Sequence, residues 1–446
     1  MSRLTVAMHL ENRICILPDN VERHIKTLSE EIGVRLAGSL GEKRAEEYIA
    51  AELTQYGAEV QIERFPIQER AVERETLQIK LNGKWESFSC SLLGNALGTK
   101  GETKEAPVVF FSSQTDYQRK DLSYLSGKAV VHLGSHIEKA DNYRRLINAK
   151  PAFVLFVDVR FPGTVVTADG MFPAYTHKYG GMTIASVAYM DAWKWKQEEA
   201  STARLCIHGE MRESSSSNII AELPGTDLSS EILFVGCHHD TQADSVGADD
   251  NATGVAAVLA IAQALAKLPR KRTIRLVSFG AEEQLSVGSS FYVRQRREEL
   301  KDRGGCMFNF DSFGSLMGWT NLSCIGSEEL GDYFNRMFVG QDEYLAVKHE
   351  IVPYADHFPF AAAGIPGVYL GRSNCASGRF FHHRPDDTIS KISIPLCTKL
   401  IQVGCLSLFK LANAESLPFR LIVSEDSQAE IEKMWQEIFG GWEGFS

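Results

Sequence analysis

"GADDNATGVAAVLAIAQAL", Gly247–Leu265, sets two aspartates and an asparagine directly before a run that is almost wholly apolar. Val255, Val258, Leu259, Ala262 and Leu265 recur at helical spacing, so a buried helix is expected from Asn251 onward. Asp, Asn and Thr are good N-caps, and acids near a helix N-terminus suit its dipole. One capping acid is enough, so the second has to be explained by what the rest of the chain brings nearby.

Upstream, "EILFVGC" (231–237) reads as a strand buried on both faces, and it ends in His238, His239 and Asp240. Downstream, "TIRLVSFG" (273–280) leads to Glu282 and Glu283, and "CMFNF" (306–310) leads to Asp311. "IPGVYLG" (365–371) is a further strand. Strands alternating with helical segments predict an α/β fold whose mostly parallel central sheet is flanked by helices. Such sheets bind ligands at the carboxyl ends of their strands. The histidines and acids should therefore converge with Asp249 and Asp250, and "FFHHRPDDT" (380–388) adds His382, His383, Asp386 and Asp387.

Carboxylates gathered in a dry cleft repel one another, and divalent cations relieve the conflict. Histidine with carboxylate and no cysteine cluster suits zinc, with cobalt or manganese as alternatives. Two divalent ions would be balanced by three carboxylates and a hydroxide, with two neutral histidines completing the shells. One aspartate of the pair then shapes the turn and the other bridges the ions.

The net charge of −10 argues against a nucleic-acid partner. No apolar run approaches the ~20 residues of a membrane span, and the N-terminus has no signal-peptide pattern, so no membrane partner and a cytoplasmic location are expected. Nine cysteines without a C-x-x-C pair fit reduced thiols. Three segments are expected. Residues 1–80 begin a catalytic domain, 81–212 form an inserted β-rich unit, and 213–446 complete the catalytic domain. In the first, Val21, Ile25, Leu28 and Ile32 mark a helix capped by Asp19 or Asn20, and Ser39 with Glu42 forms a capping box for a second. The insert shows short β-like runs such as "GKAVVHLG" (127–134) and "PAFVLFVDV" (151–159) with little helix, and the serines 214–217 read as its return linker. Ile431, Met434, Trp435 and Ile438 form a helical stripe that would dock on the body or on a second copy, so a homo-oligomer is a possible partner arrangement.

The stretches "GCHHDT", "GADDNATGVAAVL", "FGAEEQLSVGSSFY", "NFDSFG", "ADHFPFAAAGIP" and "FHHRPDDT" resemble the co-catalytic di-zinc aminopeptidase family. That family includes aminopeptidase Y, glutamate carboxypeptidase and the transferrin receptor ectodomain. The insert resembles a protease-associated domain. The resemblance implies that His238 and Asp311 hold one ion, Glu283 and His383 the other, and that Asp250 bridges them. Asp240 would orient His238, and Glu282 would be the general base. Relatives carry Tyr before the last ligand histidine; His382 stands there in this chain and would be the alternative donor to the reacting carbonyl. Asp356 and His357 match the family's Asp-His pair near the site, while His239 reads as structural. The implied activity is removal of N-terminal residues from peptides. A carboxypeptidase or dipeptidase is the alternative, because Arg372, Arg379 and Arg384 could supply a carboxylate pocket. Glutaminyl cyclisation and a catalytically dead scaffold rank below it.

Overall fold

The computed structural model describes residues 10–137 and 139–444. The first helix, α1 (Pro18–Lys26), takes Leu17 as its N-cap and has no side-chain cap, so the expected Asp19 or Asn20 cap is not used. Pro18 supplies a preset φ at the first helical position instead. In α2 (Leu40–Gln55), Ser39 Oγ accepts from Glu42 N at 3.3 Å, one half of the capping box, while the Glu42 carboxylate accepts from Gly38 N rather than Ser39 N; Gly57 ends the segment at φ +89°.

The chain then runs out along β1 (Glu59–Leu81), through β2 (Lys84–Phe88) and β3 (Cys90–Leu92), into the inserted unit. This unit alternates β4 (Lys104–Ser112), β5 (Ala129–Gly134), α3 (Ala140–Asn148), β6 (Phe153–Asp158), α4 (Pro173–Tyr179), β7 (Ile184–Val187) and α5 (Tyr189–Gln197). It is therefore not poor in helix. Its helices are short and were hidden among aromatic and charged residues. The chain returns along β8 (Thr202–Leu223), which pairs antiparallel with β1 over nearly its whole length. Ser214–Ser217 are not a linker: they pair with Ile67, Pro66, Phe65 and Arg64 inside this ladder. Cross-strand partners override the weak strand preference of serine.

The remaining elements are β9 (Leu228–His238), α6 (Gly254–Leu265), β10 (Arg272–Phe279), α7 (Val287–Gln295), α8 (Arg297–Arg303), β11 (Gly304–Phe310), β12 (Trp319–Ile325), α9 (Glu328–Val339), β13 (Ala346–His349), α10 (His357–Ala362), β14 (Gly367–Ser373), α11 (Ile394–Asn413) and α12 (Glu425–Phe439). One continuous sheet results, in the order β13-β12-β14-β11-β9-β10-β8-β4-β5-β6-β7-β3. Its centre, β14-β11-β9-β10, is parallel, and antiparallel pairs flank it.

Residues of β9 alternate between two apolar layers. Leu233 and Val235 join the core under α1, α2, α6 and α11, whereas Ile232 and Phe234 join the core with Tyr292, Val293 and Phe360 on the other face. Burial on both faces is what makes this strand a continuous apolar run. The 20-residue α11 is long and apolar enough to cross a bilayer, but here Leu400, Ile401, Leu408 and Leu411 are buried in the first core. A second core lies under the insert and takes in Leu77 and Ile207, so β1 and β8 serve both lobes. Ile431, Trp435, Ile438 and Phe439 of α12 close this second core, and Trp435 is fully buried. The aromatic tail is thus spent on the chain's own body.

Candidate metal centre

The carboxyl ends of the central strands meet at one edge. His238 is the last residue of β9, Glu282 and Glu283 follow β10, and Asp311 follows β11. Asp249 and Asp250 lie in the turn before α6 rather than in the helix itself. Asp250 and Asn251 have non-helical backbone angles, and the peptide between them is cis. The helix starts at Gly254, whose N donates to Asn251 Oδ1 at 2.8 Å. The asparagine is therefore the cap, and neither aspartate is needed for it. Gly247 enters the turn at φ +53°, where a Cβ would stand 2.1 Å from Asp250 O.

Asp249 faces away from the cleft and accepts from Gly314 N at 2.7 Å. Asp250 faces into it. Asp250 Oδ1 lies 3.1 Å from His238 Nε2, and Asp311 Oδ1 lies 3.7 Å from the same nitrogen. Asp250 Oδ2 lies 3.6 Å from His383 Nε2, which is 2.8 Å from Glu283 Oε2. Ligands on a tetrahedral zinc with ~2.0–2.1 Å bonds stand ~3.4 Å apart. These spacings suit metal coordination, with one oxygen of Asp250 turned to each histidine–carboxylate group.

Surrounding groups hold these donors in place. Asp240 Oδ1 and Oδ2 accept from the backbone N of Glu282 and Glu283 at 3.0 and 3.1 Å, and Oδ1 is 3.5 Å from His238 Nδ1. One carboxylate thus ties the ends of two strands together. Asp387 accepts from the N of Asp249 and of Asp250 at 2.9 and 3.0 Å, fixing the turn. Ser286 Oγ donates to Glu282 Oε1 at 3.0 Å, which leaves Oε2 facing the cleft, 3.9 Å from His238 Nε2. His382 stacks on His383 with ring centres 3.5 Å apart, and its Nδ1 lies 2.9 Å from Asp250 Oδ2. His383 has a left-handed backbone at φ +56°, and its carbonyl accepts from Ala168 N of the insert at 3.0 Å.

Several contributors were not foreseen. Arg35 is fully buried and donates to the carbonyls of Leu28, Gly33, His239, Val246 and Gly247 at 2.7–3.0 Å, clamping the loop between β9 and the Asp250 turn. A lone arginine in Gly33–Gly38, between short apolar and glycine residues, gave no sign of this. Of the three arginines near the last ligand, only Arg379 enters the site: its guanidinium lies 3.0 Å from Asp250 Oδ2 and 2.7 Å from His382 Nδ1. Arg372 is spent on Ser315 O and Thr320, and Arg384 on Asp386 and Phe380 O. A cavity of about 250 Å³ opens over the donors, and the insert walls it with His136, Arg160 and Asp169. Asp356 and His357 are buried beneath the site.

Burial raises several of the acids in the metal-free chain. Asp249 and Asp356 go up to about 7, Asp387 to about 8 and Glu283 to about 6. Acids raised in the folded state contribute stability below their unfolded pKa, near 4, and lose it as pH rises through the folded value. Buried His24, His132 and His239, lowered to about 4, and His357 and His382, lowered to about 3, act in the opposite sense up to their unfolded value near 6.5, whereas the acids and His383, raised to about 9, titrate across the whole interval. The melting temperature of the chelated chain should therefore fall by about 5 °C or more between pH 5 and 8. Saturating zinc should remove most of that slope. A melting temperature that rises with pH over this range would contradict the charge distribution described.

Residues 218–404, which carry every donor named above, match peptidase family M28. The chain is 26% identical over 386 residues to aminopeptidase YwaD of Bacillus subtilis, spanning 83% of this chain and 79% of that protein. It is likewise 26% identical over 386 residues to carboxypeptidase Q of Rattus norvegicus, spanning 81% and 79%. The chain is therefore similar to peptidase family M28 over its catalytic segment and to M28 relatives over most of its length. Among solved structures, a peptidase M28 precursor from Shewanella amazonensis superposes with a TM-score of 0.77 at 22% identity, covering 94% of this chain and 99% of that one. A zinc aminopeptidase from Bacillus subtilis superposes at 0.73 and 20%, covering 93% and 99%. These likenesses show a shared fold that extends over the insert as well as the catalytic core. The chain is a peptide hydrolase of the metal-dependent kind.

Proposed function

We propose that this chain is an exopeptidase with two divalent metal ions, zinc by its donor set, that removes N-terminal residues from peptides. The carrying observation is Asp250, whose two oxygens face two separate histidine–carboxylate groups within a walled cavity. His238 and Asp311 would hold one ion, and Glu283 and His383 the other. When bound, the ions supply a water acidified toward neutrality and a charge that polarises the scissile carbonyl.

The chain's own residues do the rest. Glu282 Oε2 takes the proton from the attacking water and passes it to the leaving amine, while Ser286 fixes the other oxygen. Asp240 holds the His238 ring and the Glu282–Glu283 backbone in register. His382 and Arg379 stand beside Asp250, where they can donate to the substrate carbonyl. His136, Arg160 and Asp169 of the insert wall the cavity beside the donors.

The aminopeptidase YwaD relative supports removal from the N-terminus. Arg379 in the cleft, together with the carboxypeptidase Q relatives, supports the second reading, recognition of a C-terminal carboxylate. A peptide ladder separates the two. The zinc-loaded chain is incubated with peptides, half of them N-terminally blocked, and their masses are followed over time. Stepwise loss from free N-termini only, abolished by chelator, is expected. Loss from C-termini, or cleavage indifferent to the block, would overturn the aminopeptidase reading.

A further inference from the structure

A second set of donors lies on the other side of the β9 end. Glu42 and Glu46 stand one turn apart on α2, so they share a helix face. His239, next to His238, points toward them. Its Nδ1 is 3.0 Å from Ser278 Oγ, which fixes the ring. Its Nε2 is fully buried and has no hydrogen-bond partner. One donor atom from each of the three residues lies within 4.8 Å of the others.

The distance between His239 Nε2 and Glu42 Oε1 is 3.9 Å. That is too long for a hydrogen bond. Ligands on a tetrahedral zinc stand ~3.4 Å apart, so a shift of about half an ångström brings the pair to that spacing. With Nδ1–H given to Ser278, Nε2 presents a lone pair to two acids. Charge points the same way. The charged groups acting most on Glu42 are Asp240 and Glu46, both acidic; Arg64 and Lys43 act on Glu46, and Arg35 acts on His239. Ser216 Oγ and Gly38 N donate to Glu42 at 2.6 Å each, which holds the carboxylate without neutralising it.

We propose that Glu42, Glu46 and His239 bind a divalent cation of the zinc class, separate from the centre built on Asp250. Two carboxylates and an imidazole suit such an ion. It pins α2 to the residue beside His238, so the N-terminal segment and the catalytic edge are joined by a metal link as well as by packing.

The chain is equilibrated with Zn²⁺, desalted and counted by inductively coupled plasma mass spectrometry. Wild type should exceed Glu46→Ala by one zinc per chain, with peptide hydrolysis by the variant kept within about threefold. Equal zinc counts would overturn the proposal. If Glu46→Ala fails to fold, anomalous diffraction at the zinc edge from wild-type crystals decides alone. A peak among Glu42, Glu46 and His239 supports the site, and its absence at saturating zinc removes it. Neither readout depends on which peptides the enzyme cleaves.

Discussion

Glu282→Gln is expected to lower kcat by about a thousandfold while leaving zinc content and KM near wild type. A positioned general base contributes ~10²–10⁴ in rate. The structure gives Glu282 the geometry for that role. Its backbone is anchored by Asp240, one carboxylate oxygen takes the Ser286 hydroxyl, and the other faces the cleft. Burial holds its pKa well above the ordinary carboxylate range, which makes it a stronger base than a solvated glutamate. Glu283→Gln is the contrast: it removes a donor beside His383 and should lower zinc content together with rate. Single-turnover kinetics and metal analysis on both variants separate the roles. A Glu282→Gln enzyme within tenfold of wild type, or one stripped of zinc, would show that the two neighbouring glutamates have been assigned the wrong way round.

Arg35→Met should cost about 4 kcal/mol or more of stability and abolish metal retention. The guanidinium satisfies five backbone carbonyls in an interior position. Each buried acceptor left without a donor costs ~1–3 kcal/mol, and methionine fills the volume without supplying one. Lysine should rescue poorly, since a single ammonium cannot reproduce the planar fork. Chemical denaturation with zinc analysis of the soluble fraction measures both effects. A loss below about 1 kcal/mol would mean that the loop from His239 to Gly247 is held by other contacts.

The two kinds of residue differ in how visible they were in sequence. His238, Glu282, Glu283 and Asp311 each close an apolar strand, so a parallel sheet brings them together wherever its helices pack. Asp250 is visible because a buried helix follows it at once. Arg35, His136, Arg160 and Asp169 leave no such mark: each takes its place through tertiary contacts over a long separation, and none of them closes an apolar strand or precedes a buried helix. The serines of β8 misled for a related reason. Their strand character comes from β1 across the ladder, not from their own propensity. The acid pair shows the limit of local reading most clearly. Both aspartates suit a helix start, yet the asparagine after them caps the helix, while one acid holds a loop amide and the other enters the cleft.

The paired run of β1 with β8 has a consequence for anyone wishing to cut and paste this enzyme. An inserted module normally hangs on two loops and can be excised at its hinges. Here the junction is a double ribbon shared by both halves, and the module's far side grips the ligand loop through Ala168 and the Ser377–Arg160 contact. Cutting anywhere between the halves exposes raw sheet edges, the kind of surface that recruits other chains. Trading the wall of the cleft between relatives will therefore succeed only if both ribbons travel with it, so changes of substrate range in this architecture should come by altering single wall residues rather than by shuffling the module.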